Sequence, residues 1–118
     1  MTVWPLDIAY DPATKTLTVS FEDRQTFSLP AEYLRVESPS AEVQGHSPAE
    51  RKIVPGCRHV GIGGIDPVGN YAVRLIFDDG HDTGIYSWAL LHELGREREQ
   101  RWARYLAALT ERGLSRDP

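Results

Sequence analysis

The stretch DDGHDTGIYSW, Asp78 to Trp88, sets one histidine, His81, among Asp78, Asp79 and Asp82 and ends on the aromatic pair Tyr86 and Trp88. Imidazole nitrogens ligate metals or carry protons near neutral pH, and carboxylates are common partners in both roles. The same residues also suit a plain turn at Asp79-Gly80, with His81 bracing the corner. A non-haem iron triad needs two histidines and one carboxylate. Its His-x-Asp or His-x-Glu part is missing, because Pro48, Gly61, Thr83 and Leu94 stand two residues after His46, His59, His81 and His92.

Cys57 and His59 are two apart, a spacing that puts a thiolate and an imidazole on one face of a strand. No carboxylate lies close in sequence to orient them, and a small buried or semi-buried thiol is the simpler account of Cys57. Cys57 is the sole cysteine, which excludes an intrachain disulfide and a multi-cysteine metal site, and one thiol cannot hold an iron–sulfur cluster. A zinc or iron centre would therefore have to join His81 to His46, His59 or Cys57 with nearby aspartates. The run GIGGID, Gly61 to Asp66, has aspartate where a dinucleotide fingerprint needs glycine, and no phosphate-loop or serine-elbow motif is present.

The elements that must position these groups follow from periodicity. Leu6, Ile8 and Tyr10 alternate, as do Leu17, Val19 and Phe21, and Asp11-Pro12-Ala13-Thr14-Lys15 between them is rich in turn formers. A third short strand through Phe27 and Leu29 closes at Pro30. AEYLRV, Ala31 to Val36, predicts one or two helical turns. About 22 residues then run with little periodicity, long enough to expect function or disorder. Within this 37–59 loop, Ser47-Pro48-Ala49-Glu50 is a capping box that predicts one short helix.

Val60, Ile62 and Ile65 predict the next strand, and Pro67-Val68-Gly69-Asn70 a turn. Tyr71, Val73, Leu75 and Phe77 give the clearest alternation, followed by a short strand through Asp82 to Ile85. Ser87 is a candidate N-cap for WALLHEL and Gly95 its C-terminal stop. Trp102, Tyr105, Leu106 and Leu109 share one face of a last helix, where core packing is the simpler role for the aromatics. The expected fold class is α+β: a mainly antiparallel sheet, a short helix in the long loop, and two C-terminal helices packed on one face.

At 118 residues with net charge −4, the chain predicts a single domain spanning 1–118 and no extended phosphate-binding surface. Glu93, Glu97 and Glu99 dilute the field of Arg96, Arg98, Arg101 and Arg104, so no nucleic-acid partner is expected. No stretch reads as a signal peptide or approaches the ~20 apolar residues that span a bilayer, so no membrane association and a cytoplasmic location are expected.

Three stretches carry a family resemblance: YLRVESPSAEVQGH, IDPVGNYAVRLIFDDGHDTGIYSW and LLHELG. From Leu6 to Gly95 the chain resembles the bacterial proteins of the domain of unknown function 971 family, which share their domain with the amino-terminal part of gamma-butyrobetaine hydroxylase. In the hydroxylases that domain looks like a zinc module with a C-x-C-x-x-C run after a Leu-Arg step and a later histidine. Aligning that step on Leu34-Arg35 puts Ser38, Ser40 and Val43 at the cysteine positions and His81 at the histidine. The resemblance thus implies a zinc site that is lost, since a serine hydroxyl is a poor zinc ligand and valine is none. Oxygenase activity is not expected to carry over, because the resemblance does not extend to the catalytic domain. A similar domain attached to iron–sulfur carrier ATPases makes an iron–sulfur connection conceivable.

The resulting expectation is a non-enzymatic accessory or interaction module with no cofactor and a protein partner. Its vestigial metal corner comprises Ser38, Ser40, His46, Asp78, Asp79, His81, Asp82, Tyr86 and Trp88, with Ser38 and His81 close enough for a hydrogen-bonded clasp. The alternatives are a zinc or iron-binding domain and a small enzyme with an unrecognised site.

Overall fold

In the computed structural model, residues 3–45 and 47–118 are described; the candidate His46 lies outside them. The chain runs β1 (Pro5–Asp11), β2 (Thr16–Phe21), β3 (Thr26–Pro30), α1 (Ala31–Val36), α2 (Ala41–Gln44), a 3-10 turn (Pro48–Glu50), β4 (Ile62–Val68), β5 (Ala72–Phe77), β6 (Ile85–Ser87), α3 (Trp88–Arg96) and α4 (Arg98–Glu111). It is an α+β fold. The antiparallel strands divide into two three-stranded meanders, β1-β2-β3 and β4-β5-β6.

Alternation explains the central strand of each sheet. Leu17, Val19 and Phe21 of β2 point into the core, as do Val73, Leu75 and Phe77 of β5. Both sets belong to one apolar cluster that also holds Leu34 of α1, Leu91 and Leu94 of α3, and Tyr105 and Leu109 of α4. Polar contacts tie the layers together: the Tyr10 hydroxyl of β1 accepts from the Ile62 amide of β4 at 3.0 Å. Tyr33 of α1 donates its hydroxyl to the Leu94 carbonyl of α3 at 2.7 Å.

Ser87 caps α3 as expected, accepting from the Leu90 amide at 3.1 Å. Gly95 does not stop that helix, which continues to Arg96. A side chain there would meet the Phe27 ring at 2.2 Å, so the glycine allows β3 and α3 to approach closely. Pro67 and Val68 stay in β4, and the turn falls on Gly69, at φ 55°, and Asn70. The strand expected over 82–85 is Ile85–Ser87 instead. Leu106 is exposed while Tyr105 and Leu109 are buried, so the buried stripe of α4 is narrower than its apolar pattern. Within the long loop, Pro48–Glu50 forms only one 3-10 turn. The helix proper is α2, capped by Ser40.

Candidate functional site

The 37–59 loop leaves α1 and folds back against the corner between β5 and β6. Leu34, buried in the core, fixes the end of α1, and the Tyr86 hydroxyl of β6 donates to its carbonyl. Ser38 lies just beyond. Its Oγ is 2.8 Å from Nε2 of His81. On the other side of the ring, Nδ1 is 3.1 Å from a carboxylate oxygen of Glu42, on α2. Ser38 Oγ also accepts from the Ser40 amide at 3.2 Å.

The partners assign the protons. A carboxylate only accepts, so Nδ1 carries the hydrogen and gives it to Glu42. Nε2 is then the acceptor, and the Ser38 hydroxyl donates to it. The hydrogen bonds run in one direction: Ser40 amide to Ser38, Ser38 to His81, His81 to Glu42. Both ring nitrogens are satisfied by the neutral imidazole. Burial and the nearby Arg35 guanidinium hold the His81 pKa below its usual value of about 6.5, outweighing the pull of Glu42 and Asp79.

A second link runs parallel to the first. Ser40 Oγ lies 2.7 Å from Thr83 Oγ1, while it also accepts from the Glu42 amide at 3.2 Å. Gln44 donates to the Ser38 carbonyl at 2.7 Å. Asp79 shapes the turn from below: Oδ1 accepts from the His81 amide at 3.1 Å, and Oδ2 takes Nε of Arg35 at 2.8 Å. Gly84 is required by proximity, because a Cβ there would stand 2.7 Å from Ser38 Oγ and 3.0 Å from the Tyr86 ring.

The structure therefore brings together Ser38, Ser40, Asp79, His81 and Tyr86. It sets three candidates apart. Asp78 is exposed, with its amide bonded to the Gly61 carbonyl at 2.9 Å. Asp82 faces solvent, 3.9 Å from Arg74. Trp88 starts α3 and donates its indole N–H to Asn70 at 2.9 Å. Cys57 is buried with its pKa raised by desolvation, and its thiol faces the Pro55 carbonyl at 3.5 Å. His59 is exposed. Among the described residues no group of three or more His, Cys, Asp or Glu is placed to hold a metal ion.

Glu42, Thr83 and Arg35 were not singled out by sequence reasoning. Glu42 offered one signal, its place two residues beyond Ser40, but that position matters only once α2 is known to turn back over His81.

Serine, histidine and carboxylate in this connection form the relay that activates nucleophilic serines. Here Ser38 is fully buried. In this arrangement the relay links the start of the 37–59 loop to the β5–β6 corner.

The chain matches the family described as gamma-butyrobetaine hydroxylase-like, N-terminal, over residues 8–92. Among solved structures it is similar to one determined in solution by NMR, with 47% identity, a TM-score of 0.88, and coverage of 100% of this chain and 93% of that one. A second NMR structure is 44% identical with a TM-score of 0.85, covering 99% of this chain and 87% of its own. A crystal structure of a protein of unknown function from Acidithiobacillus ferrooxidans, assigned to the DUF971 family, is 40% identical with a TM-score of 0.66 over 77% of this chain and 91% of that one. Comparison with curated proteins found no match. With the family pattern spanning both sheets and the His81 corner, this chain is a member of the gamma-butyrobetaine hydroxylase-like N-terminal domain family, also known as DUF971.

Proposed function

We propose that this chain is a non-enzymatic accessory module that presents a surface to a protein partner, and that a polar relay holds this surface in shape where the zinc module of the hydroxylases uses a metal. The observation that carries the proposal is the contact of Ser38 Oγ with His81 Nε2 at 2.8 Å. The donor set does not fit zinc. Val43 is an apolar core residue, Ser40 Oγ is engaged by Thr83, and Ser38 Oγ is engaged by His81. Hydroxyls that remain protonated are poor ligands beside thiolates. Burial of Ser38 argues against a nucleophile and for a clasp. A lone thiol buried away from solvent suits a reducing compartment, and we place the module in the cytoplasm.

Two measurements test this reading. Elemental analysis of native protein purified without a histidine tag is expected to find no stoichiometric metal; one tightly held ion per chain would replace the clasp by a metal centre. Affinity capture from native cells is then run with wild type and with Thr83→Ala, which removes the part-buried link to Ser40 while leaving the buried relay. The expected outcome is a protein partner lost or weakened on the variant. Equal capture by both would move the binding surface away from this corner.

A further inference from the structure

A cleft on the far side of the loop enlarges this reading. It encloses about 220 Å³ between α4 and the segment that follows the 3-10 turn. One wall is a single face of α4, where Arg101, Arg104, Tyr105 and Ala108 fall at i, i+3, i+4 and i+7. The opposite wall is Arg51, Lys52 and Ile53. The two walls are tied together. Tyr105 of α4 donates its hydroxyl to the Val54 carbonyl, and the loop wall is itself held to α2, where the Lys52 amide donates to the Val43 carbonyl at 2.7 Å. The cleft is thus built before any ligand arrives.

The chemistry of the lining is specific. Its floor is apolar, from Val36, Ile53 and the Tyr105 ring, and its rim carries Arg51, Lys52, Arg101 and Arg104. One carboxylate, Glu37, opposes these four cations within the cleft. Glu37 is buried and is held by Arg51 and, at 3.6 Å, by Arg101. Arg101 is further engaged by Glu97 at 2.9 Å and by Glu93 at 3.6 Å. Lys52 and Arg104 are exposed and pair with no carboxylate among the described residues. Arg51 keeps a buried Nε without an acceptor. On a chain whose net charge is −4, the rim of this apolar floor thus carries two uncompensated cations, Lys52 and Arg104. That combination complements a segment with the opposite arrangement, an apolar side chain flanked by carboxylates.

We infer that this cleft is the docking site for an acidic peptide segment of a partner, with an apolar side chain seated on Ile53 and Tyr105 and its flanking carboxylates met by Lys52 and Arg104. The inference rests on the interaction-module reading and assigns the chemistry of the partner. Lys52 and Arg104 lie on the rim, so they set affinity through long-range attraction that salt weakens. The buried Glu37 with Arg51 and Arg101 keeps the cleft open and is not itself part of the recognition.

The test uses the full chain and two fluorescein-labelled peptides, acetyl-Leu-Glu-Glu-Leu-Glu amide and its glutamine counterpart. The acidic peptide is expected to bind and the neutral one to bind at least about tenfold more weakly. Lys52→Gln combined with Arg104→Gln, two exposed positions, should lower the affinity about tenfold while thermal unfolding stays unchanged. Absence of binding by the acidic peptide, equal binding of the two peptides, or full binding by the double variant would overturn the inference. Hexanoate binding as tightly as the peptide, or dimerisation lost in the same double variant, would overturn it in favour of a free acid or a second copy. Partner capture that depends on Thr83 but not on Lys52 and Arg104 would leave the module reading intact and defeat this inference alone.

Discussion

The two ends of the long loop are anchored by different chemistry. The first end, 37–45, is fixed to the β5–β6 corner by the relay through Ser38 and His81 at 2.8 Å and, in parallel, by Ser40 with Thr83 at 2.7 Å, while Glu37 at its start pairs with Arg51 of the second end. The second end, 51–58, is held by ion pairs, an aromatic hydroxyl and the chain's last residues. Arg116 makes two bonds to the buried Glu32, at 2.8 and 2.7 Å, with its guanidinium 5.2 Å from the Trp102 ring centre. Its neighbours strap the loop directly, since the Gly56 and Arg58 amides donate to the Ser115 and Arg116 carbonyls, each at 3.0 Å. The series depends on one imidazole proton and on exact spacing around one ring. The strap spreads its hold over several contacts of permanent charge and backbone. The first anchor is therefore expected to fail as a unit, and the second by degrees.

The largest expected effect comes from crowding the first anchor. Gly84→Ala places a methyl 2.7 Å from Ser38 Oγ and 3.0 Å from the Tyr86 ring. Both neighbours are fully buried, so neither swings away freely. Overpacking plus the broken relay should cost about 2–3 kcal/mol in urea unfolding. Amide protection should fall over 37–45 and persist over 51–58. An equal fall in both segments would show that the two anchors are one.

Next in size is Arg116→Ala. It leaves the buried Glu32 carboxylate without its bidentate partner and uncovers Trp102. Because Arg116 is about a third exposed, the remaining carboxylate regains some water, and a loss of about 1–2 kcal/mol is expected. Protection should now fall over 51–58 and not over 37–45. Rescue by Arg116→Lys should be partial, since an ammonium cannot make the paired contact of a guanidinium. Full rescue would show that the geometry of the strap is irrelevant.

What the sequence made legible, and what it hid, divides along the same line. β2 and β5 were plain because Leu17, Val19 and Phe21, and Val73, Leu75 and Phe77, each turn one face to the core. Ser87 was plain because its cap contact is three residues away. α2 was hidden because four residues are too short to display a helical period. Gly95 was misread because its cause, Phe27, comes from a strand 68 residues earlier in the chain. At the site, His81 stood out among aspartates, yet its ring contacts are Ser38 and Glu42, 43 and 39 residues away. Those partners follow from the fold of the loop, which local pattern does not encode. The acids adjacent in sequence serve the backbone and the surface instead: Asp79 holds the turn, and Asp82 faces water.

The smallest expected effect isolates the proton on which the first anchor depends. Folding lowers the His81 pKa through burial and the Arg35 charge, against the pull of Glu42 and Asp79. As pH falls, the unfolded chain takes up its proton first, near the ordinary value of about 6.5, and the folded chain resists. Stability from this group is therefore full above that value and is lost as pH falls through the lower folded pKa. Protonation also has a local meaning. A charged imidazole has no acceptor, so Nε2 can no longer take the Ser38 hydroxyl proton and the series is interrupted at its centre. The measurement is a difference, so that contributions from the rest of the chain cancel: urea unfolding of wild type and His81→Gln from about pH 8 down to about pH 5. The wild type should lose more stability over the acid part of that range than the variant, with added loss of amide protection over 37–45 and none over 51–58. Parallel curves would mean that the first anchor tolerates the charged ring, and that the contrast between the two ends of the loop does not rest on this proton.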